Sequence, residues 1–358
     1  MKTILILTAG YGEGHNSAAR GIQAGLARVV PEIKVECHDL FAETLGPMNN
    51  WIRSGYLTLI TNWPRSWGVV YRWLDRKKEF NRDFAWFGLV KKQFALLLDR
   101  LQPDIVVSVF PAYPYLLEQI RGDRKCRSVV VVTDSITVNA IWYRCQADAF
   151  LVPNEPSADV LRAAGIAPEK IRVFGFPVNP AFADLSVRST PSEGQRPKVL
   201  YVINASARRA LETAQRLSRL KVDLSIAVGR NEKLRRALER TASDRKIELL
   251  GWIDNLPELL GRSHLLIAKA GGATVQESIA AGCPMIVNHI VSGQEEGNAE
   301  LIVQTNSGAV AIAPSDVAAK VEQVFAGDGK LWREWAENIA ELSRPRASLE
   351  IAEFLNAF

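Results

Sequence analysis

His264-Leu-Leu-Ile-Ala268-Lys-Ala-Gly271-Gly272-Ala273-Thr274-Val-Gln-Glu277-Ser-Ile-Ala-Ala281 reads as a strand, a glycine turn and a helix in immediate succession. The apolar run from His264 to Ala268 predicts the strand, and the helix is expected from Thr274 to Ala281. Such a step places free backbone N–H groups at the end of a strand. The first four N–H groups of a helix lack internal partners and carry partial positive charge, so the helix start is a seat for an anion such as a diphosphate. Glycines let that backbone come close to its ligand. Glu277 lies one turn into the helix, where a carboxylate can accept both hydroxyls of a ribose whose diphosphate sits on the helix end. Thr274-Val-Gln-Glu277 is also the spacing of a capping box, in which Thr and Glu satisfy the orphan N–H groups themselves. Gln294, Glu295 and Asn298 follow as a polar cluster, readable as ligand contacts or as ordinary loop residues.

Outward from this unit, short β-branched runs alternate with longer helical patterns, which argues for an α/β fold of parallel sheets covered by helices on both faces. Expected strands are Thr3–Thr8, Ile33–His38, Ile105–Val109, Ser128–Thr133, Ala149–Val152 and Arg172–Phe174. A second series runs through Lys198–Ile203, Leu224–Val228, Ile247–Leu250, Leu265–Ala268, Pro284–Asn288 and Ala309–Ile312. Between the series lies Asp184–Pro197, a polar, proline-bearing linker. With 358 residues the chain exceeds one compact domain, and the expected division is 1–183, linker 184–197, and 198–330. Two doubly wound, Rossmann-like domains place ligands where strand ends face each other across a cleft.

Hydrophobic residues make up 47% of the chain, enough for two sizeable cores, and the net charge of +5 favours anionic partners. Acidic lipid headgroups remain as such a partner, since no nucleic-acid motif occurs and no nucleic acid is expected. The apolar run Met1–Leu7 is too short for the core of a signal peptide, and no stretch approaches the ~18 apolar residues of a membrane span. The cytoplasm is the default location. Cys37, Cys126, Cys145 and Cys283 show no paired metal spacing and read as small hydrophobes, so neither a disulfide nor a metal site is expected.

The first series opens with Thr8-Ala-Gly10-Tyr-Gly12-Glu13-Gly14-His15-Asn-Ser-Ala-Ala19, again a strand, a glycine turn and a helix. The turn lacks the G-x-G-x-x-G spacing of dinucleotide folds, and only Asp39 stands where a ribose-binding acid would.

The segment 268–299 resembles the donor-site signature of glycosyltransferases that make glycolipids, the monogalactosyl- and processive glucosyl-diacylglycerol synthases. Their relative, the N-acetylglucosaminyltransferase that completes lipid II, carries a similar one. The resemblance extends to the glycine turn ending in His15 and to Thr133-Asp134-Ser-Ile-Thr-Val-Asn139-Ala-Ile-Trp142, where Asn139 stands in place of the family's usual His. It extends also to Val228-Gly-Arg230-Asn231-Glu-Lys-Leu and Gly251-Trp252-Ile253-Asp-Asn-Leu-Pro. Together these matches span residue 5 to about 300. Where the family usually has a glycine-rich turn after the first strand of its second domain, this chain has Asn204-Ala-Ser206-Ala-Arg208-Arg209. Ser206 aligns with a polar position there. The arginine pair reads as a diphosphate contact or, more plainly, as solvated charge at a helix start.

What the resemblance implies is the GT-B architecture, with the last stretch, 331–358, returning to the first domain, and an inverting, metal-independent transfer of a hexose from a UDP-sugar to a lipid hydroxyl, diacylglycerol first among acceptors. It implies His15 as general base near the acceptor hydroxyl, with Gly12 and Gly14 in its turn, Glu13 and Asp134 being the alternative bases. Asp134 reads equally as the cap of the following turn. Asn139, which does not titrate near neutral pH, is left to hydrogen-bond the acceptor. Ile253 would read uracil through its backbone beside Trp252, which reads alternatively as core. Gly271, Gly272, Ala273 and Thr274 would hold the diphosphate, Glu277 the ribose, and Gln294 with Glu295 the hexose. No cofactor is implied beyond the UDP-sugar as co-substrate.

Between Trp51 and Phe94, tryptophan and tyrosine interleave with Lys and Arg, and five of the nine tryptophans fall here: Trp51, Trp63, Trp67, Trp73 and Trp86. That pattern suits peripheral contact with an anionic membrane surface, on the cytoplasmic face, or else helices with aromatic residues packed inward. Other readings are transfer to another lipid or polyprenyl acceptor, epimerisation of a UDP-sugar, a non-catalytic nucleotide-sugar-binding protein, and a membrane-docking protein without catalysis.

Overall fold

The structure is a computed structural model, and it describes residues 2–49, 51–52, 54–55, 87–136, 138–186, 195–203, 206–242, 247–253, 255–291 and 295–358. Gln294, Asn204 and most of the aromatic-basic stretch, including Trp63, Trp67, Trp73 and Trp86, lie outside the described residues. Among those described, no helix is long and apolar enough to cross a membrane.

All twelve expected strands are present, with ends moved by at most two residues. The first sheet holds β1 (Thr3–Leu7), β2 (Lys34–His38), β3 (Ile105–Ser108), β4 (Arg127–Val131), β5 (Ala149–Val152) and β6 (Ile171–Val173), in the order β2-β1-β3-β4-β5-β6. Every pairing is parallel, with Ile4 opposite both Val35 and Ile105. Its helices are α1 (Glu13–Val29), α2 (Leu40–Leu45), α3 (Phe87–Leu101), α4 (Ala112–Ile120) and α5 (Glu155–Ala163). Ile4, Leu5, Ile6 and Leu7 are all fully buried, which requires helices on both faces. Leu5, Leu7 and Val106 pack against Phe94, Leu98 and Tyr113 on one face.

The second sheet holds β7 (Lys198–Val202), β8 (Asp223–Ala227), β9 (Ile247–Leu250), β10 (Leu265–Lys269), β11 (Met285–His289) and β12 (Gly308–Val310), in the order β12-β11-β10-β7-β8-β9. It too is all parallel. Its helices are α6 (Ala207–Leu217), α7 (Glu232–Ala242), α8 (Leu256–Arg262), α9 (Gly272–Ala280), α10 (Glu296–Gln304), α11 (Pro314–Phe325) and α12 (Lys330–Leu342). Tyr201, Ile267 and Ile286 form its core with Ala210, Leu238 and Val321.

Each sheet reverses its direction of winding once, between β1 and β3 in the first and between β7 and β10 in the second. In open parallel sheets the crevice outside the strand ends at such a reversal is where ligands bind.

The chain divides into one compact unit of Met1–Pro180, Val291–Gly297 and Arg346–Phe358, and another of Ala181–Ile290 and Asn298–Pro345. The stretch 331–358, expected to return as one piece, is split. Trp332 and Trp335 of α12 are buried in the second core, and Trp332 Nε1 donates to the His264 carbonyl at 2.7 Å. Pro345 precedes the break, and only the last helix, α13 (Ala347–Ala357), packs on α1. That packing is close: a Cβ on Gly25 would lie 2.3 Å from the Ser348 carbonyl oxygen.

Candidate active site

In the first unit the turn after β1 is locked by side chains. Gly10 N donates to Asp39 Oδ2 at 2.8 Å, while Asp39 Oδ1 accepts from Ala42 N at 2.9 Å and so caps α2. Asp39, the one candidate for a ribose acid here, thus has both oxygens on backbone N–H groups. Thr8 Oγ1 donates to Asn16 Oδ1 at 2.9 Å, tying strand end to helix. Gly12 is the N-cap of α1, with extended backbone that any residue adopts, and neither it nor Gly14 has anything within 4 Å of a would-be Cβ. Space is open above this helix start.

His15 sits at the winding reversal, bridging α1 to the end of β3. Its Nδ1 is 2.8 Å from the Val109 carbonyl and 3.2 Å from Thr133 Oγ1. A carbonyl only accepts, so Nδ1 carries the proton and Nε2 keeps its lone pair. Burial pushes the imidazole down from its ordinary 6.5 to about 4, and the bond to Val109 opposes that only in part. The ring is therefore neutral at pH 7. Phe110 meets it edge-on at 5.2 Å, and Trp142 lies 5.9 Å away.

Asp134 Oδ2 accepts from Trp142 Nε1 at 2.8 Å, fixing the indole beside His15. Asn139 caps the short turn Ala140–Trp142, its Oδ1 accepting from Ile141 N at 3.1 Å. Asn139 is buried, so the residue in place of the family's His serves the local backbone. Ile136, between these two, has φ of +61°, a left-handed conformation costly for a β-branched residue and characteristic of functional loops.

In the second unit α9 begins two residues earlier than expected. Its N-cap is Gly271, which has no side chain to cap with, and the helix runs Gly272–Ala280. Thr274 is thus the third helical residue and not a cap, which removes the capping-box reading of Thr274 and Glu277. Ala273 and Thr274 lie four and three residues before Glu277, on the helix face it occupies, and all three are half-buried. Asn298, only 5% exposed, donates from Nδ2 to the Ala270 carbonyl at 3.0 Å, just before the N-cap. Its Oδ1 is buried without a hydrogen-bond partner among the described residues. Glu295, also buried, accepts from Val291 N at 2.9 Å and so shapes the loop before α10.

The other positions at these strand ends behave differently. Ser206 is the N-cap of α6 but makes no side-chain cap bond, and it is exposed together with Arg208 and Arg209. Trp252 is 57% exposed and not core, and the Arg230 guanidinium lies over its ring at 4.4 Å. Half-buried Ile253 stands next to it, at a pocket lined also by Leu250, Asn255, Glu258 and Arg262.

Sequence reasoning missed the Val109 carbonyl, Thr133, Phe110 and the tie from Asp134 to Trp142. A backbone carbonyl has no signature in composition, and its meeting with His15 depends on β1 and β3 being neighbours.

Residues 15–178 match the monogalactosyldiacylglycerol (MGDG) synthase family, and residues 202–327 match the glycosyltransferase family 28 C-terminal domain. The chain is 28% identical over 382 residues to the chloroplastic monogalactosyldiacylglycerol synthase of Spinacia oleracea, covering 99% of this chain and 72% of that one. It is 25% identical over 366 residues to the processive diacylglycerol beta-glucosyltransferase of Bacillus subtilis (strain 168), covering 98% and 94%. The crystal structure of MurG from Acinetobacter baumannii superposes with a TM-score of 0.64 at 15% identity, covering all of both chains, which places the fold in the GT-B class. With an MGDG synthase domain leading into a family 28 C-terminal domain and relatives of both kinds along nearly its whole length, the chain belongs to the glycolipid-forming glycosyltransferases.

Proposed function

We propose that this glycosyltransferase moves a hexose from a UDP-sugar to the hydroxyl of diacylglycerol with inversion, without a metal ion, while bound peripherally to the anionic cytoplasmic face of a membrane. The observation that carries the reading is the uncapped glycine start of α9 at the winding reversal, with Glu277 one turn in on the half-buried face. N–H groups of Gly272, Ala273 and Thr274 hold the diphosphate, Glu277 accepts the ribose hydroxyls, and Ile253 meets uracil through its backbone. Glu295 and Asn298 shape the hexose end. Asn298 Oδ1, an unmet acceptor, is suited to a sugar hydroxyl.

In the reaction, the acceptor O–H loses its proton to Nε2 of His15 as its oxygen bonds to the anomeric carbon. The bond from that carbon to the UDP oxygen breaks on the opposite face. The resulting imidazolium is held by the Nδ1–H bond to Val109, and the departing charge by the N–H groups of α9. These donors are fixed before the reaction, so they do the work a metal does elsewhere. The open space at Gly12 and Gly14 admits the acceptor. Met48, Trp51 and Leu89 are 48%, 81% and 56% exposed, with Lys91 and Lys92 nearby in sequence, and supply the membrane-facing side.

The test is release of UDP from UDP-glucose and UDP-galactose in the presence of EDTA, with and without diacylglycerol in anionic vesicles. Release that requires the lipid is expected, from one donor above the other. Release that needs a divalent ion would remove the metal-independent part. Release without any acceptor would point to hydrolysis.

A further inference from the structure

We infer that Tyr11 is a positioning residue, whose hydroxyl ties the segment bearing Met48 and Trp51 to the turn that carries His15 and so aligns the base with an acceptor seated in the membrane. This rests on the membrane reading above. Tyr11 directly precedes Gly12, the N-cap of α1, and His15 stands in the first turn of that helix. The Tyr11 hydroxyl donates to Asn49 Oδ1 at 3.0 Å. Asn49 is only 4% exposed, and a polar side chain buried that far is costly unless it is hydrogen-bonded. Burial, aided by the charge of Asp39, pushes the phenol up to about 12, so it remains a donor at neutral pH.

Residues 47–49, 51–52 and 54–55 are helical, and they divide by face. Asn49 and Ile52, one turn apart, are turned inward, with Ile52 packed against the first core. Met48, Trp51 and Gly55 are exposed on the other side. Gly46, at φ of +51°, breaks the helix after α2, so the segment does not continue that helix. Its aim is set instead by its own inward side chains, Asn49 and Ile52.

The turn itself is held without the Tyr11 hydroxyl. Gly10 is bonded to Asp39, and the Tyr113 hydroxyl donates to the Thr8 carbonyl at 2.7 Å while accepting from Leu40 N at 3.0 Å. Both ties end at the start of α2. The tie through Tyr11 reaches past Gly46, to the segment with the exposed Trp51. From there the path to the base is short. The Tyr11 ring stacks on Phe110 at 5.7 Å with the planes 21° apart. Phe110 meets His15 edge-on and follows Val109, whose carbonyl holds Nδ1. A tilt of the lipid-facing segment is thus passed through Asn49 and Tyr11 to the ring beside the imidazole.

The test compares transfer to diacylglycerol in anionic vesicles with transfer to a short-chain diacylglycerol dissolved without vesicles, for wild type, Tyr11→Phe, Asn49→Leu and the double variant. Tyr11→Phe keeps the stacked ring and loses only the hydroxyl. It is expected to lower turnover on vesicles by about 10-fold or more, because a small misplacement of the acceptor is enough. Co-sedimentation with the vesicles, UDP affinity and transfer to the dissolved acceptor are expected to match wild type. The double variant should fall no further than the weaker single one, as two halves of one bond do. Equal loss on both acceptors would overturn the inference, since the hydroxyl would then serve the turn alone. Unchanged turnover on vesicles, lost vesicle binding in Tyr11→Phe, or additive losses in the double variant would overturn it too. A wild-type chain that transfers to the dissolved acceptor yet does not sediment with anionic vesicles would remove the membrane reading and this inference together. Transfer to neither acceptor would remove the proposed function with them.

Discussion

His15 keeps its proton on Nδ1 because the group facing it is a carbonyl, and it titrates low because the site is buried among Phe110 and Trp142. A general base of this kind is active when neutral, so activity is lost as pH falls through the folded-state value. The acid limb of kcat/KM is expected near pH 4 and not near 6.5. A pH–rate series on wild type checks this. The same depression bears on stability: the folded chain binds this proton less well than the unfolded one, so stability on this account is full above 6.5 and declines as pH falls towards 4. His15→Gln should lessen that decline in urea melts. His15 itself was legible in the sequence from its place after a glycine turn. Its orienting partner was not, because Val109 meets it only through the adjacency of β1 and β3. Asp134 was legible as important but not in its role, since a tie to Trp142 looks in sequence like any carboxylate near an aromatic.

At the scale of elements, α9 begins on Gly271 without a side-chain cap. Gly271→Asp would supply the missing cap and also place negative charge where the diphosphate sits. It is expected to leave the chain as stable or slightly more so, by a few tenths of a kcal/mol, and to abolish UDP binding measured by calorimetry. Thr274 misled because a Thr three residues before a Glu satisfies the capping rule, while the glycines ahead of it also continue a helix. The twelve strands were legible because runs such as Ile4-Leu5-Ile6-Leu7, buried on both faces, leave no other reading. The split between α12 and α13 was not, since both helices are amphipathic and only the buried Trp332 and Trp335 decide which core each joins. For α1 against α13, Gly25→Ala forces a Cβ towards the Ser348 carbonyl, and a loss of about 1–3 kcal/mol in urea unfolding is expected.

For the molecule as a whole, the proposed contact with an anionic membrane rests on the net charge of +5 and on exposed Trp51, Met48 and Leu89. Co-sedimentation with anionic vesicles is expected to fall steeply between about 0.1 M and 1 M salt, as the screening length shrinks from ~10 Å to ~3 Å. Affinity for neutral vesicles should change little over that range. The central claim joins two helix starts, one presenting a neutral imidazole and the other an anion seat, in a single inverting transfer to lipid. Its most direct test follows labelled hexose from α-linked UDP-hexose into diacylglycerol with EDTA present, for wild type and His15→Gln, and reads the anomeric configuration of the product by NMR. The account predicts a β-linked glycolipid from wild type, and UDP binding without transfer from His15→Gln. An α-linked product, or normal transfer by His15→Gln, would contradict it.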